Sequence, residues 1–340
     1  MRGSKINILF QTILAAAGFF LFAAGANAEQ TKRLQYVLIS FDGAGAEAQW
    51  KRSMALGEKT GARFTYFLTC ANIIPHDQAF KYRSPEGRAG KSNVGFAASR
   101  EEARGRLLAI WSAAATGHEI GNHTCGHFDG GNWSKDQWLA EFQSFDTILS
   151  NAFMDLGFGD EPQGWRDFVK TKVTGFRAPY LSAGIGLTEA LQAHGFRYDA
   201  SSVERDVLLP RVNGKLARFA LPQIQEGPSG RRIIAMDYNF FVRHSGGFER
   251  ASESDAFEAR AYQAFHSAFD AQYAGRRLPL QIGMHFTLMN GGAYWRAMER
   301  LVTDVCGKPD VRCVTYGQYL DENSRHANQL AKLEPRKGGS

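Results

Sequence analysis

Short apolar, β-branched runs alternate along this chain with longer stretches whose apolar positions recur at helical spacing. Leu34 to Phe41 (LQYVLISF) is one such run and predicts a buried strand. Asp42-Gly43-Ala44-Gly45 stops it, Glu47 to Lys59 carries the helical period, and Gly61 ends that helix. Arg63 to Leu68 predicts a second strand, so strand, helix and strand form a parallel pair with a crossover. A polar stretch from His76 to Ser99 reads as an inserted loop. Ser99 and Glu102 then make a capping box for a helix that ends at Gly117. Glu119 to Asn122 follows as a strand and Lys135 to Leu156 as a helix.

The rhythm continues downstream. Val173 to Phe176, Phe196 to Ala200, Arg231 to Asp237, Leu280 to Met284 and Arg312 to Thr315 predict strands. Leu187 to His194, Asp255 to Tyr273 and Trp295 to Val305 predict helices. Repeated strand–helix units point to one α/β domain, a parallel (β/α) barrel, with any chemistry where strands end and loops begin. The domain is expected to span residues 29–325. Residues 326–340 are polar and expected to form a flexible tail.

The N-terminus follows a different pattern. Arg2 and Lys5 precede an uncharged run from Ile13 to Ala26, and Ala26-Asn27-Ala28 supplies small residues for a signal peptidase. Residues 1–28 therefore read as a secretory signal cleaved after Ala28, which places the protein outside the cell or in the periplasm. Gln11 and Thr12 interrupt the run before the ~20 apolar residues of a membrane span, so no stable membrane insertion is expected. Removing 28 of 340 residues, with their two cations, leaves 312 residues and takes the net charge from +6 to +4. That surplus falls short of the clustered Lys and Arg of a nucleic-acid partner. The 44% hydrophobic share and 25 Phe, 11 Tyr and 6 Trp exclude a disordered chain and allow a sizeable core. No repeat period is visible, which excludes solenoids and propellers. The oligomeric state stays open.

Candidate chemistry gathers at the predicted strand ends. Asp42 ends the first strand, and His123 and His127 follow the third with a four-residue separation common among metal ligands. Arg177-Ala-Pro-Tyr180 follows the fourth strand, and His285 follows Pro279 to Met284. Taken singly, Asp42 before glycine is a turn residue, the His pair is incidental, and His285 is a satisfied buried histidine. Their ordered placement at strand ends outweighs those readings jointly. His76, His118, His194, His244 and His266 have no such context. Trp50, Trp111 and Trp138 lie on helices and read as core, whereas Trp133 and Trp295 lie near helix starts, where they could stack on sugar rings.

Four cysteines in an oxidising compartment suggest two bridges. Cys306 and Cys313 flank a short loop, and Cys70 and Cys125 sit at neighbouring strand ends. Cys306–Cys313 and Cys70–Cys125 are the expected pairs, with two reduced thiols, one free to bind metal, as the alternative to the second.

Ser40-Phe41-Asp42, His123-Thr-Cys-Gly-His127, Arg177-Ala-Pro-Tyr180 and Gly283-Met-His285, in that order, resemble the motifs of the polysaccharide deacetylases, the NodB-homology hydrolases of carbohydrate esterase family 4. The resemblance runs from about Leu34 to Leu320, nearly the whole chain beyond the signal. It implies a distorted (β/α) barrel of about seven parallel strands and metal-assisted removal of N-acetyl groups from glycans. Carried over, Asp42 is the general base and Arg177 orients it. His123 and His127 hold a divalent metal, commonly zinc, Tyr180 lines the oxyanion site, and His285 is the acid. The partner so implied is an acetylated glycan.

Two departures stand out. The family pairs two aspartates at the first strand end, the second a metal ligand, and here that position is Gly43. Asp42 itself, Asp129, Glu47 or water could complete the shell, or catalysis could be lost and only a glycan-binding groove remain. The second is Gly283, where the family usually has Leu; glycine there is expected to loosen the packing near His285. The carboxylate that holds His285 is Asp199 or Asp237, with Asp237 preferred. A zinc peptidase is disfavoured, since the His pair lacks the adjacent Glu of His-Glu-x-x-His.

Overall fold

The computed structural model describes residues 33–333, with side chains to residue 324; the signal segment 1–28 and the last residues of the tail lie outside them. β1 (Gln35–Asp42) is buried along nearly its whole length, as a strand inside a parallel sheet must be. Its residues divide by period two. Val37, Ile39 and Phe41 join the large core shared with the helices. Leu38 faces a smaller inner cluster with Phe67, Tyr198, Phe219 and Tyr316, and Ser40 and Asp42 continue that inward row. α1 (Glu47–Thr60) ends on Gly61 in the left-handed region, and β2 (Thr65–Leu68) follows.

A 3-10 turn (His76–Lys81) breaks the inserted segment before α2 (Arg100–Ala115), where Ser99 Oγ accepts the Glu102 N–H at 3.1 Å. β3 (Glu119–Asn122) leads to α3 (Lys135–Leu156), which opens on a Ser134/Gln137 capping box and closes on Gly157. The buried stripe of α3, Trp138, Phe142, Phe145, Leu149, Phe153 and Leu156, advances by three or four residues at each step. Then come α4 (Trp165–Lys172), β4 (Gly175–Phe176), α5 (Ile185–His194), β5 (Tyr198–Glu204), β6 (Arg211–Asn213), β7 (Leu216–Glu226) and β8 (Arg231–Ile234). The chain ends with α6 (Asp237–Ser245), α7 (Ser254–Ala274), β9 (Leu280–His285), α8 (Ala293–Val305), β10 (Val311–Cys313) and α9 (Tyr316–Leu333).

Parallel pairing runs β10-β1-β2-β3-β4-β5-β7, and β9 also pairs with β1 in parallel, so the sheet curls into a distorted (β/α) barrel. β6 and β8 are antiparallel additions to β7. Register aligns the strand ends: Asp42 pairs with Phe67 and with His285, Leu68 with Asn122, and Asn122 with Phe176. The residues after those ends therefore share one rim. Cys70–Cys125 and Cys306–Cys313 are both disulfides. No helix among the described residues is long and apolar enough to cross a membrane.

The fold departs from the sequence reading where packing overrides local pattern. The strand expected over Arg231–Asp237 stops at Ile234, and Asp237 opens α6. β7 carries Pro222 and was not legible as a strand. The polar segment after Leu320 continues α9, because Tyr316 and Tyr319 bury against the inner cluster and fix the helix start.

Replacing Ser134 by Ala should destabilise the fold by about 1 kcal/mol through loss of its cap. Replacing Phe142, packed on Trp138, Phe176 and Phe196, by Ala should cost about 3–5 kcal/mol. Urea unfolding of both variants measures the difference.

Candidate functional site

The rim is built by hydrogen bonds that extend the strand ladders past their ends. Gly43 N–H donates to Phe67 O at 2.9 Å, His123 N–H to Leu68 O at 2.8 Å, and Arg177 N–H to Asn122 O at 3.0 Å. These bonds place Asp42, His123, Arg177 and His285 side by side. A cavity of about 440 Å³ opens above them, lined by Asp42, His123, His127, Tyr180, Tyr238 and His285 among others.

Arg177 is fully buried, and its donors are nearly all used. Nη1 donates to Asp42 Oδ1 and to Ser40 Oγ, each at 2.8 Å, Nε to Ala200 O at 3.0 Å, and Nη2 to Tyr316 Oη at 3.0 Å. Its guanidinium also lies 4.4 Å from the Phe67 ring centre. Burial pushes the Asp42 carboxyl up, but Arg177, His123 and His285 together outweigh it and hold it below its ordinary value. Asp42 is thus a buried, ionised carboxylate with its second oxygen available to the cavity. Tyr316 was not legible as part of the site, since it belongs to none of the motifs, whereas Ser40 lies in the Ser40-Phe41-Asp42 run.

On the other side of Asp42, His285 Nδ1 lies 2.6 Å from Asp237 Oδ1, and its backbone N–H donates to Asp237 Oδ2 at 2.8 Å. Burial lowers the imidazole, but Asp237 and then Asp42 reverse that and raise it to about 8. Asp199 is turned elsewhere, accepting both the N–H and the hydroxyl of Ser201. Gly283 does not loosen this region, contrary to expectation. A Cβ there would meet Met236 Cε at 2.6 Å, and Gly283 N–H donates to Ala235 O at 2.9 Å. The missing side chain lets β9 lie against residues 235–236, which carries Asp237 to His285.

His123 Nδ1 lies 2.7 Å from Arg177 O; a carbonyl only accepts, so Nδ1 holds the proton and Nε2 keeps its lone pair. The His127 Nδ1 is buried with no hydrogen-bond partner. The two rings lie 5.0 Å apart at 69°, and His127 meets Tyr180 at 4.9 Å. Burial above all pushes both imidazoles down, His127 to about 3, so both stay neutral. Tyr180 itself is 60% exposed and has a left-handed backbone in a 3-10 turn.

Among the described residues no third side chain joins the two imidazoles as a metal-binding group. Gly43 has φ +94 and open space where a Cβ would stand, so glycine serves the turn and supplies no donor. Asp129 accepts the Gly131 N–H at 2.9 Å, and Glu47 pairs with Lys51 at 2.7 Å; neither lines the cavity. Among the described residues no group of three or more His, Cys, Asp or Glu could hold a metal ion. Trp133 and Trp295 are buried rather than on the rim. Trp133 reaches Glu86, and Trp295 donates to His285 O at 2.9 Å, supporting that strand end from behind.

Proton binding to His285 is linked to folding. Its raised value means that the stability it contributes is fully present below its ordinary 6.5 and is lost as pH rises through about 8. An NMR titration should place its midpoint near 8, and Asp237→Asn should bring it below 6.5. A wild-type midpoint at or under 6.5 would remove the role of Asp237.

No family model matches the chain, and no curated protein matches it. Solved structures do. A putative polysaccharide deacetylase from Mycobacterium smegmatis superposes with a TM-score of 0.50 and 15% identity, covering 92% of this chain and 96% of that one. The Xyl-CE4 domain of a multidomain xylanase from the hindgut metagenome of Trinervitermes trinervoides gives 0.46 and 13%, over 86% and 92%. Puue allantoinase gives 0.49 and 17%, over 84% and 72%. At such identities the first likeness establishes the fold, the NodB-homology barrel of the polysaccharide deacetylases.

Proposed function

We propose that this NodB-fold chain is an exported, metal-dependent hydrolase that removes N-acetyl groups from a glycan of N-acetylhexosamine units, chitin-like or peptidoglycan-like. One observation carries the reading: a carboxylate held ionised by Arg177 and an imidazole held protonated by Asp237 face the same cavity from adjacent strands. Paired groups whose environments push their proton affinities apart are the usual mark of a base and an acid.

The donor set fits a divalent ion of the zinc kind. His127 offers a buried nitrogen without a partner, His123 a fixed tautomer with a bare Nε2, and both rings are neutral. His123 and His127 would hold it, with water and substrate at the remaining positions. When bound, such an ion supplies charge for the acetamide oxygen and makes a water more acidic. Asp42 takes the proton from the attacking water, and Arg177 keeps Asp42 ionised and aimed. The Tyr180 backbone N–H donates to the developing oxyanion. His285 then protonates the leaving amine, and Asp237 restrains its ring. The two disulfides support export, since such bonds persist in oxidising compartments.

Gly43 sustains one second reading, a glycan-binding protein of the same fold without turnover. Acetate release from chitooligosaccharides and from peptidoglycan, with zinc added, separates the two. The wild type should release acetate, with Asp42→Ala and His285→Ala each slower by roughly 10²–10⁴-fold. It should carry stoichiometric metal that His123→Ala loses. Equal release by the variants would overturn the assigned roles, and glycan binding without release or metal would favour the second reading.

A further inference from the structure

The segment carrying His123 and His127 is bent in a way that side chains resist. Thr124 and His127 both have left-handed backbones, with φ 65 and 53, although neither is glycine. Such conformations persist only where the surroundings over-determine them. The Cys70–Cys125 disulfide ties the turn to the end of β2, and Asn122 Oδ1 accepts the Thr124 N–H at 2.8 Å. The inserted segment supplies a wall: Asn93 N–H donates to Gly126 O at 2.8 Å, and Asn93 Nδ2 to His127 O at 3.1 Å.

Beneath the turn lies Glu141, on α3, with no solvent exposure. Its Oε1 accepts the N–H of Cys125 at 2.6 Å and of Gly126 at 3.1 Å, and its Oε2 accepts the Tyr82 hydroxyl at 2.9 Å. No cationic side chain pairs with it among the described residues; burial pushes its carboxyl up, and the hydrogen bonds from Cys125, Gly126 and Tyr82 offset that only in part. The fit is close: a Cβ on Gly126 would stand 2.4 Å from the Tyr82 oxygen. A carboxylate is acceptor-only when ionised, which suits a site lined by two amides and a hydroxyl.

We propose that Glu141 is a positioning residue that pins the 124–127 turn and thereby sets the spacing of the His123 and His127 imidazoles. It touches neither imidazole; it acts through the backbone between them. The proposal rests on reading that pair as metal ligands, and the experiment separates the two claims. Glu141→Gln keeps an oxygen for both amides and an NH₂ for the Tyr82 oxygen, whereas Glu141→Leu keeps the volume and removes every acceptor.

Two readouts are taken on the full chain: amide hydrogen exchange at Cys125 and Gly126, with the β9 amides as control, and Co²⁺ affinity by calorimetry. Glu141→Leu should speed exchange at the two amides at least tenfold while β9 stays protected, and should weaken Co²⁺ binding about 10–100-fold. Glu141→Gln should remain within about threefold of wild type in both, a margin set by neutral replacing charge-assisted hydrogen bonds. Should the Leu variant not fold, Tyr82→Phe serves, with several-fold faster Gly126 exchange and weaker Co²⁺ binding expected. Unchanged exchange in the Leu variant, or in Tyr82→Phe where that variant stands in for it, overturns the proposal, as does a Gln variant as impaired as Leu. If wild type binds no Co²⁺, the ligand reading fails and the imidazole-spacing claim fails with it.

Discussion

The buried ion pair between Arg177 and Asp42 is the constraint on which the rest of the site depends. A guanidinium inside a protein is tolerated only when its donors are used, and this one reaches β1 through Ser40 and Asp42, β5 through Ala200, and α9 through Tyr316. Three parts of the barrel are therefore tied to the end of β4 through one planar cation. Removing either partner strands the other charge in the interior, a loss of about 3–5 kcal/mol in comparable pairs. The same contact keeps Asp42 ionised beneath the cavity.

Around that pair the rim divides into two electrostatic halves. On the β9 side a carboxylate at the start of α6 holds an imidazole protonated. On the β3 side burial holds two imidazoles neutral with free nitrogens. Neither half would form without close backbone approach. Gly283 admits Met236 and so delivers Asp237, and Gly126 admits Tyr82 beside Glu141. Gly43, which supplies no donor, lies where the chain turns through the left-handed region, a conformation that a side chain would adopt only with strain.

Much of this was legible in the sequence, because barrel chemistry sits at strand ends and short apolar runs mark those ends. Asp42, His123, Arg177 and His285 each follow such a run. What stayed hidden depends on tertiary contacts that leave no local pattern. Asp237 looked like the end of a strand because Ile233 and Ile234 precede it, yet it opens a helix whose first turn faces His285. Gly283 read as loosening because its neighbour Met236 lies far away in sequence. Trp133 and Trp295 sit near helix starts, as rim residues do, but both pack into the core. Tyr316 carries no charge and no motif, and only the folded barrel reveals that it receives a hydrogen bond from Arg177.

The central claim is that Arg177 keeps a buried carboxylate ionised beneath the cavity. A ¹³C titration of the Asp42 side-chain carboxyl in the folded protein tests it most directly. The midpoint should fall below the ordinary 3.8. A midpoint above 3.8, as burial alone would give, would contradict it.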